Sequence, residues 1–286
     1  MVEMVFSRYQ DALQLQTYME REHIPTTIHE TLFQQKRTYV LSISFHKYQQ
    51  KKVELAIYQF LVEQKRKEWI KEIITNCFYF KEEEEIRHIM DIVFSMWMDE
   101  REELTSLIER VDETKLLMDA ISTLFQQQEP VVFSSFVKFR LKKYYNRLIE
   151  YVEVAIDEYK MEQEYQMFIQ MLRDYLVDRE PRMRVIHLYN EQHWLFYDEN
   201  YQLLSKKEIH DCVDRRLLTN HPIYIDSATI APLLSMAPLR IYVYTDDQED
   251  GLIRTIQNIF EERVCILKKD EFWEQYATNR MNVSGN

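Results

Sequence analysis

The chain has 286 residues, 46% of them apolar, and its 36 basic and 48 acidic residues give a formal net charge of −12. This composition predicts a folded protein of one or two domains, and the charge disfavours broad binding to phosphate backbones or anionic membranes. Gly251 and Gly285 are the only glycines, where average usage would give roughly 20. Phosphate-cradling loops, dinucleotide fingerprints and nucleophile elbows need glycine, so nucleotide-dependent enzymes and typical α/β hydrolases are disfavoured.

Cysteine content and the lack of targeting signals indicate the compartment. Cys77, Cys212 and Cys265 are far apart and form no Cys-x-x-Cys pair, which predicts neither a disulfide framework nor a structural zinc site. The chain starts without a signal-peptide pattern, and it contains no apolar run of about 18 residues. We therefore expect a cytoplasmic protein with no transmembrane segment, and no motif indicates a cofactor.

Residues 1–46 predict a small mixed α/β unit. A strand is expected over 3–6 and an amphipathic helix over 10–22, which stops before Pro25. Alternating β-branched residues predict a second strand over 38–45.

Residues 47–180 predict a helical bundle, because this segment has no glycine and Pro130 is its only proline. Four helices are expected, over 48–77, 82–100, 102–127 and 134–178, the last with a break near 161–164.

Residues 181–286 predict a C-terminal α/β unit. Its expected elements are a hairpin of two strands over 183–189 and 193–199, a helix near 205–218, strands over 222–228 and 239–247, a helix over 249–262 and a strand over 263–269. The fold class expected for the whole chain is α+β and predominantly α-helical, with the small mixed unit first, the central helical bundle second and the α/β unit last.

The start of the last bundle helix is strongly basic. Five cations and no acid lie between Lys138 and Arg147. On a helical wheel, the apolar residues of this segment gather on one side and the cations flank them, while Phe139 faces away from the core.

Two interpretations of these cations remain open. The simpler one is charge matching within the chain, since residues 81–113 hold 12 acids against 4 bases and flanking cations commonly lay their stems along a core stripe. The functional one is a binding surface for an anionic group on a protein partner, a lipid surface or a nucleic acid. Its residues would be Lys138, Phe139, Lys142, Lys143 and Arg147. Nucleic acid is the least favoured ligand, because the overall charge is wrong and no reading module is evident.

Two aspartates are the candidate catalytic residues. Asp246 and Asp247 follow a predicted strand, at the position where open α/β sheets bind ligands, and they would serve a metal-dependent enzyme. The alternative is structural: Asp247 is a natural helix cap, with Glu249 and Asp250 in the acidic first turn of the next helix.

Two Glu-x-x-His motifs, Glu20/His23 and Glu85/His88, have the spacing of di-iron bundle ligands. Bundle ligands must point inward. The wheel directs His88 to solvent, and the first motif lies at the end of a short helix, so no metal site is predicted.

Three stretches of the chain resemble the YtxC-like family of endospore-forming bacteria. They are residues 136–188, 228–247 and 255–266, and the most specific segments are FVKFRLKKY at 136–144 and EYQMFIQML at 164–172. The family comprises sporulation proteins without an assigned activity, so the resemblance implies a sporulation setting and carries over no catalytic residue. With catalytic motifs missing, we expect a non-catalytic protein that binds a protein partner. The alternatives are a metal-dependent enzyme and an anionic-surface or nucleic-acid binder.

Overall fold

A computed structural model describes residues 1–33, 36–126, 129–177, 179–214 and 228–283. Over these residues the fold is predominantly α-helical with two four-stranded mixed sheets, which confirms the predicted α+β class. The chain forms two compact units, Met1–Met161 and Glu162–Asn286. No helix in the described ranges combines the length and the apolar character that a membrane span requires.

The first unit contains a sheet and a helical bundle. Its strands are β1 (Val2–Phe6), β2 (Thr26–Phe33), β3 (Lys36–Ile43) and β4 (Val131–Val132). Its helices are α1 (Tyr9–Arg21), α2 (Gln50–Phe60), α3 (Arg66–Glu72), α4 (Glu83–Trp97), α5 (Glu102–Thr105), α6 (Glu113–Ser122), α7 (Phe133–Phe139) and the first part of α8 (Lys142–Val177). The sheet order is β2-β3-β1-β4, in which β1 pairs antiparallel with β3 and parallel with β4.

The first unit confirms most predicted elements and adds β2. That strand pairs antiparallel with β3 along its whole length at the sheet edge. Ile28 packs against the core, but Leu32 is 72% exposed, so the alternation of buried and exposed residues is too weak to predict the strand from periodicity.

The predicted helix over 48–77 is confirmed as α2 and α3, which continue into one another through a π-helical turn at Leu61–Lys65 and end in a second at Ile73–Cys77. The prediction of a single helix over 102–127 is wrong, because this segment is divided into α5 and α6. Asp112 begins α6 as its cap, accepting a hydrogen bond from the Lys115 amide at 2.9 Å.

The predicted break near 161–164 is also wrong, because α8 is continuous there and the interruption falls at residues 140–141. At this break Leu141 and Tyr144 both reach the core, while Phe139 stays exposed. The break therefore separates α7 from α8 in the middle of the basic stretch.

One hydrophobic core joins the sheet and the bundle of the first unit. Met4 and Leu41 from the strands belong to the same buried cluster as Phe60, Ile89 and Leu148 from the helices. Residues 1–46 thus share a core with the part of the predicted bundle that lies within the first unit. The predicted division into domains stays a prediction.

The second unit is built around the other sheet. Its strands are β5 (Val185–Asn190), β6 (Trp194–Tyr197), β7 (Arg240–Tyr244) and β8 (Val264–Leu267). Its helices are the end of α8, α9 (Lys206–Cys212), α10 (Ile230–Met236), α11 (Gly251–Phe260) and α12 (Lys269–Val283). The sheet order is β6-β5-β7-β8, in which β5 and β6 form the predicted antiparallel hairpin and β5, β7 and β8 run parallel.

Both faces of this sheet are covered. Along β7, Ile241 and Val243 face one core, and the alternate residues Tyr242 and Tyr244 face an aromatic cluster that includes Phe272 of α12. Helix α12 is missing from the predicted elements. The strand predicted over 222–228 lies outside the described residues, except for its last position.

Candidate functional site

The exposed part of the basic stretch lies where α7 ends and α8 begins. Lys138, Phe139, Arg140, Lys142 and Lys143 are all exposed there, and we call these five residues the basic patch. The Phe139 side chain is 68% exposed, and the Lys138 Nζ atom lies 5.6 Å from its ring centroid. The prediction that Phe139 faces away from the core is therefore confirmed.

The four cations of the basic patch have no acidic partner in the described part of the chain: no carboxylate oxygen lies within 4 Å of any of them. Over the described residues, ion pairs within the chain therefore do not account for these four cations. An exposed aromatic ring among unpaired cations is a surface suited to an anionic group with an apolar neighbour.

Arg147 differs from the other cations because it is buried. Its side chain donates to the Glu150 carboxylate at 2.7 Å and to the Glu109 carbonyl, and its Nε atom lies 3.8 Å from the Glu113 carboxylate. The guanidinium also lies over the Tyr151 ring at 5.2 Å. Because Arg147 is only 6% exposed, it does not belong to the basic patch. Its contacts agree with the interpretation that the cations pair within the chain.

A cavity of about 580 Å³ opens in the first unit beside the basic patch. We call it the α7–α8 cavity. Its lining residues come from the turn before α1 and the first turn of α1, from the helix formed by α2 and α3, and from α7 and α8: Ser7, Arg8, Asp11, Lys65, Trp69, Glu72, Phe133, Ser134, Val137, Lys138, Lys142, Tyr145 and Asn146. Two of these residues, Lys138 and Lys142, are candidate binding residues predicted from the sequence.

One wall of the α7–α8 cavity is apolar and largely aromatic. Trp69 and Phe133 are buried, and Val137 and Tyr145 are half-buried. The Trp69 and Tyr145 rings meet edge to face with centroids 6.2 Å apart. This wall offers packing surface for a flat apolar group.

A second wall holds a network of paired charges. The Lys65 ammonium, 2% exposed, donates to Asp11 at 3.3 Å and to Glu68. Arg8 donates to both Asp11 oxygens at 3.0 and 2.8 Å and to Glu68 at 2.7 Å. The two cations and two carboxylates thus neutralise each other, and a network with its partners in place holds this wall in a defined geometry.

The network also changes the pKa values of its members. The hydrogen bonds to Asp11 and then to Glu68 raise the pKa of Arg8 above its ordinary value. Burial acts to raise the pKa of Glu68, but the hydrogen bonds from Lys65 and Arg8 outweigh burial, so the pKa is lowered. Both groups are therefore held in their charged forms at neutral pH.

The strand-end aspartates are engaged in local contacts. Asp246 is exposed and lies 3.4 Å from the Lys269 ammonium, and the Asp247 carboxylate accepts a hydrogen bond from the Glu249 amide at 3.0 Å. The prediction that Asp247 caps the next helix is wrong, because Asp250 caps α11 through the Leu252 amide at 2.7 Å. Within the described residues, no group of three or more His, Cys, Asp or Glu side chains could hold a metal ion.

The Glu-x-x-His motifs lie in different surroundings. His23 is exposed, whereas His88 is half-buried with its ring 5.3 Å from Tyr159. The solvent-facing orientation predicted for His88 is therefore wrong, because Tyr159 of α8 covers that side of α4. Glu85 accepts a hydrogen bond from the same Tyr159 hydroxyl at 3.2 Å.

Three residues of the cavity walls, Arg8, Lys65 and Trp69, are not among those predicted from the sequence. One signal was available: Lys65 lies one helical turn after Leu61 and one before Trp69, on an otherwise apolar helix face. A lysine in that position needs a buried partner. Asp11 could not be identified as that partner, because it comes 54 residues earlier in the chain.

Comparison with known proteins gives the family. A sequence profile of the YtxC-like family matches residues 51–265 of the chain. The chain belongs to the YtxC-like family. It is 35% identical over 223 residues to the uncharacterized protein YtxC of Bacillus subtilis (strain 168), an alignment that covers 78% of this chain and 79% of that protein. No solved structure matches this YtxC-like chain. The matched YtxC-like segment includes Lys65, Trp69 and the basic patch but begins after Arg8.

Proposed function

We propose that this chain is a non-catalytic cytoplasmic protein that acts during sporulation by binding an acidic segment of a partner protein through the basic patch. The observation that carries the proposal is the set of four exposed cations around Phe139, none of which has an acidic neighbour within 4 Å in the described ranges. The resemblance to a family of sporulation proteins supports the setting.

The charge of the chain favours a protein segment over an extended polyanion. With a formal net charge of −12, the molecule as a whole repels a membrane surface or a nucleic-acid duplex. A short acidic segment interacts only with its immediate surroundings, because charges are screened over about 8 Å at physiological salt. Phe139 adds an exposed aromatic anchor of the kind that contributes strongly to protein interfaces.

The binding test reverses two patch cations that do not line the α7–α8 cavity. The probe is a labelled acidic peptide of glutamates interrupted by leucines. We expect it to bind Arg140→Glu/Lys143→Glu about tenfold more weakly than it binds the native chain. Binding to the native chain should also weaken as salt is raised. The matched control, Lys47→Glu/Lys51→Glu, changes the net charge equally at exposed positions outside the patch and should bind the peptide nearly normally.

The same variants test the role in sporulation. We expect Arg140→Glu/Lys143→Glu to lower the yield of heat-resistant spores while the protein accumulates at its normal level, and the control pair to leave the yield unchanged. Equal yields for the two variants would contradict the proposal. Tighter binding of the native chain to anionic vesicles or to a DNA duplex than to the acidic peptide would overturn the choice of partner.

Asp246 and Asp247 carry no second proposed function, because the Lys269 ion pair and the turn before α11 account for both side chains.

A further inference from the structure

We propose that the α7–α8 cavity is a binding site for a small organic anion with a flat apolar body, such as an aromatic carboxylate. The cavity shares Lys138 and Lys142 with the basic patch, but a ligand in it requires no partner protein. Its volume of about 580 Å³ falls within the range of roughly 300–1,000 Å³ typical of small-molecule sites.

The apolar wall of the cavity favours a ligand with a flat, apolar ring system. Trp69 and Phe133 are 5% and 7% exposed, so their rings are held by the core, and Val137 and Tyr145 complete the wall beside them. Flat ligand rings pack on such a wall in offset or edge-to-face arrangements. An aliphatic chain would fill the same surface with fewer ring contacts and would lose more conformational freedom on binding.

The lining cations that have no acidic partner among the described residues determine the sign of the charge that the ligand should carry. Arg8 and Lys65 are already matched by Asp11 and by Glu68. Lys138 and Lys142 line the cavity without an acidic partner in the described residues, whereas Glu72 is the one further carboxylate among the lining residues. The charge left uncompensated is therefore positive, and it favours a carboxylate over an ammonium group.

The first test compares three probes on the full chain by calorimetry. We expect 2-naphthoate, which has both a flat ring system and a carboxylate, to bind with measurable affinity. The cationic analogue 2-naphthylmethylamine and simple acetate should each bind at least about tenfold more weakly, because each lacks one of the two required features. No detectable binding of 2-naphthoate, or equal binding of the amine, would overturn the proposal.

Two pairs of neighbouring substitutions locate the site. Ser134 lines the α7–α8 cavity and Ser135 does not, although both are exposed on α7. We expect Ser134→Phe to fill the cavity and abolish 2-naphthoate binding, and Ser135→Phe to leave it intact. Likewise Lys142 lines the cavity and Lys143 does not, so Lys142→Gln should weaken binding several-fold and Lys143→Gln should not. Equal effects within both pairs would place the ligand elsewhere and refute the site.

The outcomes for the cavity and for the partner surface can be separated. Ser134→Phe should abolish 2-naphthoate binding while the acidic peptide still binds. Arg140→Glu/Lys143→Glu should do the opposite, since neither residue lines the cavity. Circular dichroism and the urea midpoint of each variant show that a lost signal does not reflect unfolding.

Discussion

At the residue scale, the five cations of the basic stretch fall into two groups, four exposed and one buried. Lys138, Arg140, Lys142 and Lys143 are exposed, whereas Arg147 is 6% exposed. The helical wheel places all five beside the apolar stripe and cannot distinguish them. Arg147 is buried because the segment before α6 packs over it and supplies the Glu109 carbonyl.

We predict that Arg147→Met destabilises the first unit by about 2–3 kcal/mol. The substitution keeps an apolar stem but leaves the Glu109 carbonyl and the Glu150 carboxylate without their donor, and it removes the positive charge beside Glu113. The cost should fall below the roughly 3–5 kcal/mol of a fully buried pair, because the Glu113 and Glu150 side chains are 20% and 51% exposed. Urea unfolding measures the change.

The control for this measurement is Lys143→Met. It removes an exposed cation that has no ion-pair partner among the described residues, and it should change the free energy of unfolding by less than about 0.5 kcal/mol. If Arg147→Met lost as little stability as Lys143→Met, the contacts of the buried Arg147 side chain would contribute little to the free energy of unfolding.

At the element scale, helix α12 creates a buried polar site on β5. His187 is 4% exposed, and its Nδ1 atom lies 3.0 Å from the Tyr244 hydroxyl. Tyr244 and Tyr201 both donate to the Gln275 carbonyl oxygen of α12, at 2.9 and 2.7 Å. Since the Tyr244 hydrogen is used in this way, its oxygen accepts from the His187 Nδ1–H group. The Tyr201 ring also stacks on His187 with centroids 4.1 Å apart.

Burial makes this site sensitive to acid. It lowers the pKa of His187 from 6.5 to about 4, although the nearby Asp198 carboxylate acts in the opposite direction. The folded state therefore binds a proton less readily than the unfolded state. The stabilisation is complete above pH 6.5 and is lost as the pH falls toward 4.

The native chain loses stability between about pH 7 and pH 4.5. We predict that this loss in the free energy of unfolding is about 2 kcal/mol smaller in His187→Gln. Denaturant unfolding at both pH values measures the difference. His193→Gln is the control, since His193 is exposed, and it should keep the native pH dependence. An unchanged pH dependence in His187→Gln would mean that other groups titrate instead.

At the scale of the whole molecule, the chain forms two compact units, residues 1–161 and 162–286. The predicted boundaries near residues 46 and 180 mark where strand patterns give way to helical ones and back. In the first unit, however, the strand residues Met4 and Leu41 share a core with the helix residues Phe60 and Ile89.

We predict that Met4→Ala lowers the free energy of unfolding of the first unit by about 3 kcal/mol, because it removes a fully buried side chain. Hydrogen exchange should accelerate in α4 as well as in β3, since the two elements share one core. Leu32→Ala, at a position that is 72% exposed, should alter neither. Acceleration confined to the sheet would instead show that residues 1–46 form an independent domain.

The elements that were predicted correctly depend on short-range patterns. The helix over 48–77 and the hairpin of β5 and β6 follow from the periodicity of nearby residues and from their turn residues. The amino-acid order likewise identifies the basic patch, because its charge is concentrated within six residues, 138–143.

The features that could not be predicted depend on contacts between distant residues. Arg8 and Glu68 are 60 residues apart, and Arg147 and Glu109 are 38 apart. The walls of the α7–α8 cavity, the burial of Arg147 and the lowered pKa of His187 exist only after the chain has folded. Periodicity reports which side of an element is apolar, but burial and charge pairing depend on which other element packs there, and that is decided by the tertiary structure.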